Sequence, residues 1–205
     1  MAFDPTSVGT IGDGIDRTPL SAERVAALLE AAEAHVVAEL EALGDELAGW
    51  RPAPGEWSAN ECVGHLIEAD RRGFAGRIER IRATDGVMEE GWDQLAVAAA
   101  RRDWERPVVE VIDEFRTGRR KGISLVRSLR ADELGRHAVH AEAGVVTVSD
   151  LLQEWVFHDR NHIRQLLANA QARVWPAMGG TRRFTDPNAE GRGSGSGRYR
   201  IRVVS

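Results

Sequence analysis

Apolar residues recur along most of this chain at steps of three and four, the spacing that puts them on one face of a helix. The first run is Val25, Leu28, Leu29, Ala32, Val36, Leu40, Leu43 and Leu47. It starts near Ser21, stops at Gly49 and predicts one long amphipathic helix. The stretch GWRPAPGEW that follows reads as a connection punctuated by Pro and Gly. A second helix is signalled by Ser58 and Glu61, an S-x-x-E capping box, with Trp57 and Cys62 at the positions of a hydrophobic staple. Its face is Val63, Leu66, Ile67, Phe74, Ile78 and Ile81, and it fades at residues 84–86.

Residues 87–104 fit either a short helix or an ordered crossover. Pro107 suits a helix start, where its missing N–H costs nothing. Val108, Val111, Ile112, Phe115, Ile123, Val126 and Leu129 then mark a third long helix. Gly118 and Gly122 within it either weaken the helix or let a neighbour approach closely. GRHAVHAEAGV, at 135–145, reads as loop. Thr147, with Asp150 three residues on, caps a last long helix carrying Leu151, Leu152, Trp155, Val156, Ile163, Leu166 and Leu167. Four long helices predict an all-α, four-helix bundle over residues 18–178. A flexible arm is expected at 1–17 and a flexible Gly/Ser/Arg-rich tail at 179–205.

Composition narrows the function. The net charge of -5 argues against a general nucleic-acid binder, although the tail holds a small basic cluster. No stretch is apolar enough to span a membrane or act as a signal peptide, so neither nucleic acid nor membrane is an expected partner and a cytoplasmic location is expected. The single cysteine, Cys62, excludes an intramolecular disulfide and a Cys-rich zinc site. It lacks a cationic neighbourhood that would make it a nucleophile, and packing is its expected role.

Chemistry concentrates in the last helix. Leu151, Trp155, His158, His162 and Leu166 fall at steps of four, three, four and four, so both histidines continue an apolar stripe. A buried imidazole requires a hydrogen-bond partner or a metal. The pair alone fits two core histidines as well as it fits two ligands. His65, at the edge of the second helix's apolar face, is the best third ligand, and taken alone it fits a boundary position. Glu61, Glu68, Asp159 and Gln165 are near enough in sequence to orient such imidazoles, against a solvated helix face or, for Glu61, a cap. His137 and His140 are candidates for the rim, and Trp57 and Trp155 flank the histidines in sequence.

Two stretches carry a resemblance. PAPGEWSANECVGHLIEAD resembles the W-S-x-x-E-x-x-x-H-L segment of the DinB-like (DinB/YfiT-like) four-helix metalloproteins. HAEAGVVTVSDLLQEWVFHDRNHIRQL is similar to that family's second segment, a Thr-started helix with H-x-x-x-H followed by Gln. The match covers about residues 50–70 and 140–167, in the family's order. It implies a bundle in which His65, His158 and His162 bind one divalent metal, zinc or nickel. Members of the family include transferases that use bacillithiol or mycothiol and a mycothiol-dependent isomerase, and others are described as hydrolases. The resemblance therefore implies a metal-dependent thiol S-transferase acting on a small-molecule thiol and an electrophile. A metal-dependent hydrolase and a non-enzymatic metal- or ligand-binding bundle are the alternatives, and a homodimer would fit the family.

Overall fold

The computed structural model describes residues 16–185. Six helices appear there: α1 (Ala22–Ala48), α2 (Ala59–Glu68), α3 (Ala75–Ala83), α4 (Gln94–Arg101), α5 (Val108–Arg127) and α6 (Val148–Val174). Three short strands accompany them: β1 (Val87–Glu89), β2 (His137–His140) and β3 (Gly144–Thr147). A π-helical turn, Ala69–Phe74, joins α2 to α3, so the two form one rod. The four rods are thus α1, α2–α3, α5 and α6, a four-helix bundle. The expected arm and tail fall largely outside the described residues. Within them, Trp175–Phe184 continues α6 as a 3₁₀ helix with no buried residue.

The helix starts follow the capping chemistry of the sequence. Ser58 Oγ accepts the Glu61 N–H at 3.2 Å, and Glu61 Oε2 accepts the Ser58 N–H at 2.9 Å. Thr147 and Asp150 make the equivalent reciprocal pair at α6. The α5 start uses a distant cap: Asp45, on α1, accepts the Val108 N–H at 2.7 Å. Such caps satisfy amides that no helix can satisfy for itself.

Two apolar clusters, one towards each end, form the core. The first joins Val25 and Leu29 of α1, Ile78 and Ile81 of α3, Ile123 and Val126 of α5, and Leu151 and Trp155 of α6. The second joins Val36 and Leu40 of α1, Val63 and Leu66 of α2, Val111 and Phe115 of α5, and Leu166 of α6. Cluster membership fixes the direction of each rod. α1 and α6 run from the first cluster to the second, whereas α2–α3 and α5 run back. The order is up, down, down, up. α1 packs on α5 and α6, and α2 packs on the same two, so the consecutive rods α1 and α2–α3 face each other diagonally. Residues 84–107 are the crossover that two consecutive parallel rods require, and α4 lies in it.

The segment read as loop at 135–145 is instead most of a hairpin. β2 pairs antiparallel with β3 and parallel with β1. Its buried residue, Ala138, joins the first cluster, with Val87 and Val146 packed beside it. The strands are three and four residues long, too short to leave a period-2 signature.

Candidate functional site

Between the two apolar clusters lies a polar layer. Each rod that enters it does so where a polar residue takes a core step of the helix. On α2 and its π turn these residues are His65 and Asp70, on α5 Arg119, and on α6 His158, Asp159 and His162. α1 has the buried Ala32 between its residues of the two clusters.

The three histidines converge. Each offers one ring nitrogen, and these atoms lie within 4.8 Å of one another. His65 Nε2 and His158 Nε2 are 3.0 Å apart. Two nitrogens bound to a common ion at ~2.0–2.1 Å stand about 2.9–3.4 Å apart for angles between octahedral and tetrahedral, so the spacing suits a shared ion. His162 Nδ1 faces Gln165 Oε1 at 3.0 Å. An amide oxygen accepts, so Nδ1 carries the proton and Nε2 keeps its lone pair. His65 Nδ1 and His158 Nδ1 are buried without a hydrogen-bond partner. The contact that ties these two rings together is thus the one between their Nε2 atoms, which an ion would replace.

Burial keeps the imidazoles neutral. It lowers His65 to about 3, with the His162 charge adding to the shift. Burial likewise lowers His158 to about 2, helped by His162, His65 and the Arg119 guanidinium. His162 is lowered too, because burial outweighs the Gln165 hydrogen bond and the Asp159 charge. Neutral imidazole is the form that ligates metal.

Aromatic rings frame the cluster. Trp57 lies with its ring centre 5.3 Å from His65 and 6.5 Å from His162. Trp92, from the crossover, stacks on His65 at 5.8 Å. Phe74 meets the edge of His158 at 5.2 Å and stacks on Trp155, also at 5.2 Å. Trp155 lies against Gly122, where a Cβ would come within 2.7 Å of the indole. Gly122 thus serves close approach, one of the two readings open from the sequence.

Beside the histidines sits an ion triad. Arg119, fully buried, donates through Nε and Nη2 to Asp70 at 2.9 and 3.1 Å. Its Nη1 and Nη2 donate to Asp159, the latter at 2.9 Å. Trp155 Nε1 donates to Asp70 at 2.8 Å. Two carboxylates around one guanidinium leave an excess negative charge. Burial pushes Asp70 up to about 6, with the Asp159 charge adding to the shift and Arg119 opposing it. The sequence reading missed Arg119 and Asp70. Their signal was available: Arg119 stands four residues from both Phe115 and Ile123, and Asp70 four from Phe74.

Of the four residues considered for orienting the imidazoles, Gln165 makes such a contact. Glu61, Glu68 and Asp159 are buried, not solvated. Glu61 is both cap and partner of Arg51, and Glu68 is held by Arg71, Arg72 and Arg101. Cys62 is fully buried, and burial together with the Glu61 charge pushes its thiol up. His137 and His140 lie on β2 and do not belong to the cluster. His137 faces Asp85, and His140 Nδ1 accepts backbone N–H groups of the 140–144 turn.

The sequence model of the DinB superfamily matches residues 16–166, a span that contains all three histidines, the first three rods and most of α6. The chain belongs to the DinB superfamily. Among solved structures, its fold is similar to that of YfiT from Bacillus subtilis, described as a probable metal-dependent hydrolase with an unusual four-helix bundle topology. The TM-score is 0.65 at 18% identity, over 80% of this chain and 96% of the YfiT chain. No curated protein matches the sequence. The likeness to YfiT shows a shared four-helix fold. Among the described residues no helix is long and apolar enough to cross a membrane.

Proposed function

We propose that His65, His158 and His162 hold one divalent transition metal, and that the protein uses it to direct a small nucleophile at an electrophilic substrate. The observation that carries this reading is the convergence of three neutral imidazoles from two facing rods within 4.8 Å. Three protein donors leave coordination positions open, the pattern of catalytic rather than structural sites. Imidazole suits zinc and nickel alike. A divalent ion so held lowers the pKa of a thiol or a water and supplies a nucleophile at neutral pH.

The chain's own residues favour a thiol over water as that nucleophile, and the family resemblance implies a low-molecular-weight thiol of the bacillithiol or mycothiol class. A hydrolase of the metalloprotease kind needs a free carboxylate as general base. Here Glu61, Glu68 and Asp159 are each locked to arginines. A thiol is acidic enough to ionise without one. In the reaction its S–H proton leaves to solvent and its sulfur bonds to the electrophilic carbon. The leaving group departs with the electron pair of the bond that breaks. Trp57, Trp92 and Phe74 exclude water around the imidazoles, and Gln165 holds the His162 tautomer.

Metal-dependent hydrolysis is the second reading, favoured by the similarity to YfiT. Turnover of 1-chloro-2,4-dinitrobenzene and of a p-nitrophenyl ester by zinc- and nickel-loaded protein, with and without thiol, separates the two. Strict thiol dependence is expected. Ester cleavage without thiol would establish hydrolysis instead, and metal binding without either turnover would leave a binding protein.

A further inference from the structure

A recess of about 300 Å³ opens between the 51–57 connection and α4. Trp57, Leu95, Ala99 and Trp104 line its apolar side, and the Arg51–Glu61 pair lines another. Two walls tie it to the histidines. Trp57 belongs to both, lining the recess and lying 5.3 Å from His65. Trp92 stacks on His65 and precedes Leu95 by three residues, so one short segment runs from the imidazoles to the recess. The larger groove, between α1 and α5, is lined largely by Glu and Arg side chains; none of the three histidines lines either cavity, but the recess shares Trp57 with the rings around them.

The geometry points to this recess as the seat of the substrate's non-reacting part: a small, flat, uncharged aromatic or apolar group, with the reacting atom turned towards the histidines. The inference rests on the function proposed above and names the class of electrophile for it. Charge decides against an anionic ligand, and the apolar wall of Trp57, Leu95, Ala99 and Trp104 disfavours desolvating any ion. Arg51 donates to both Glu61 oxygens, at 2.8 and 2.5 Å, and Glu61 also accepts from the Ser58 amide. This pair neutralises itself and offers no free charge. The remaining ionisable wall residue, Glu56, repels anions.

Shape decides for a flat group. The Arg51 guanidinium lies 4.0 Å over the Trp104 ring, and this stacked pair lines the recess together with the Trp57 indole. Volume sets the size: small-molecule pockets run from roughly 300 to 1,000 Å³, so this one takes one or two fused rings. Leu95 is 71% exposed at the edge, an apolar side chain that a bound ring would cover.

The test uses the full chain, chelator-treated and zinc-loaded, with 1-naphthaleneacetamide as probe. Binding is followed through the indole N–H resonances of the ¹⁵N-labelled protein, assigned by Trp→Phe variants. Shifts at Trp57 and Trp104 are expected. Ala99→Phe fills the recess from an exposed position and is expected to weaken binding about tenfold, the loss of a ring's seat. Leu95→Ser is expected to weaken it about threefold, the loss of partial apolar cover. Melting temperature and zinc content should be unchanged in both variants. On the chelator-treated, zinc-free protein, where no ion can ligate a carboxylate, the anion 1-naphthaleneacetate should bind at least about fivefold more weakly than the amide, from repulsion by Glu56. Unaltered affinity in both variants, equal or tighter binding of the anion, or shifts confined to other tryptophans would overturn the inference. Probe binding by a protein that takes up no zinc would sink the metal reading and leave the recess standing. Zinc uptake without probe binding would do the reverse.

Discussion

His162 Nδ1 and Gln165 Oε1 face each other at 3.0 Å, one turn apart on α6. This contact fixes which nitrogen of His162 keeps its lone pair. Replacing Gln165 by Leu removes the acceptor without adding bulk. Partners of this kind are worth 10–100-fold in metal affinity. Gln165→Leu is therefore expected to lower zinc affinity by roughly that factor while leaving the far-ultraviolet circular dichroism unchanged. Equal affinities in the two proteins would show that the contact orients nothing.

The Arg119 triad gives a second expectation, on stability. Arg119→Met would leave Asp70 and Asp159 facing each other in the core. Breaking a buried pair in this way costs about 3–5 kcal/mol. Asp70→Asn instead removes the excess negative charge and keeps one oxygen for Arg119 Nη2 and Trp155 Nε1, which share Oδ1, while losing the acceptor of Arg119 Nε. Its cost should be about 1.5–3 kcal/mol, the loss of one charge-assisted hydrogen bond. Urea unfolding of both variants reads the difference. Equal losses would mean that the charge balance described here does not govern the layer.

The two glycines of α5 should respond with opposite sign. At Gly118 an added Cβ meets nothing within 4 Å, and Ala there should gain up to about 1 kcal/mol of helix propensity. At Gly122 it would stand 2.7 Å from the fully buried Trp155 ring. Overpacking of this kind costs about 1–3 kcal/mol and exceeds the same propensity gain. Thermal melts of Gly118→Ala and Gly122→Ala are expected to shift up and down respectively. A stabilising Gly122→Ala would place Trp155 elsewhere.

Acid should destabilise the metal-free protein early. The ordinary histidine pKa is 6.5, and burial holds His65 at about 3 and His158 at about 2. Above 6.5 both states are neutral and this stabilisation is complete. As pH falls below 6.5 the unfolded chain takes up protons that the folded histidines refuse, and stability declines towards the folded values. Each histidine contributes at most about 1.4 kcal/mol per pH unit in that window. Asp70 works in the opposite sense, since its folded carboxyl, near 6, binds a proton that the unfolded one binds near 3.8. It offsets one of the histidines between these values. The midpoint of urea unfolding should therefore fall from pH 6.5 to pH 4, and a flat profile would contradict neutral, buried imidazoles.

The bundle was legible because its rods write their period into the chain and open with caps that local chemistry specifies. The histidine trio was legible because His158 and His162 stand on an apolar stripe and His65 follows a recognisable cap. Arg119, Asp70 and Asp159 were not read as core, although they occupy core steps. A charged residue on such a stripe is ordinarily a break in it, and only its partners on other rods make burial tolerable. The β2–β3 hairpin was lost for another reason. Its parallel partner β1 lies about fifty residues upstream, and a four-residue strand with one buried side chain carries almost no local pattern. Trp92 likewise became part of the site through the path of the crossover, which no periodicity encodes.

In the proposed site His65, from α2, completes the ligand set begun by the α6 pair. Isothermal titration of chelator-treated full chain with zinc and with nickel, alongside His65→Ala, His158→Ala and His162→Ala, tests it most directly. The account expects one ion per chain and a loss of affinity of at least about tenfold in each variant, each having lost one of three ligands. An absence of stoichiometric binding by the unaltered protein, or an affinity untouched by His65→Ala, would contradict it.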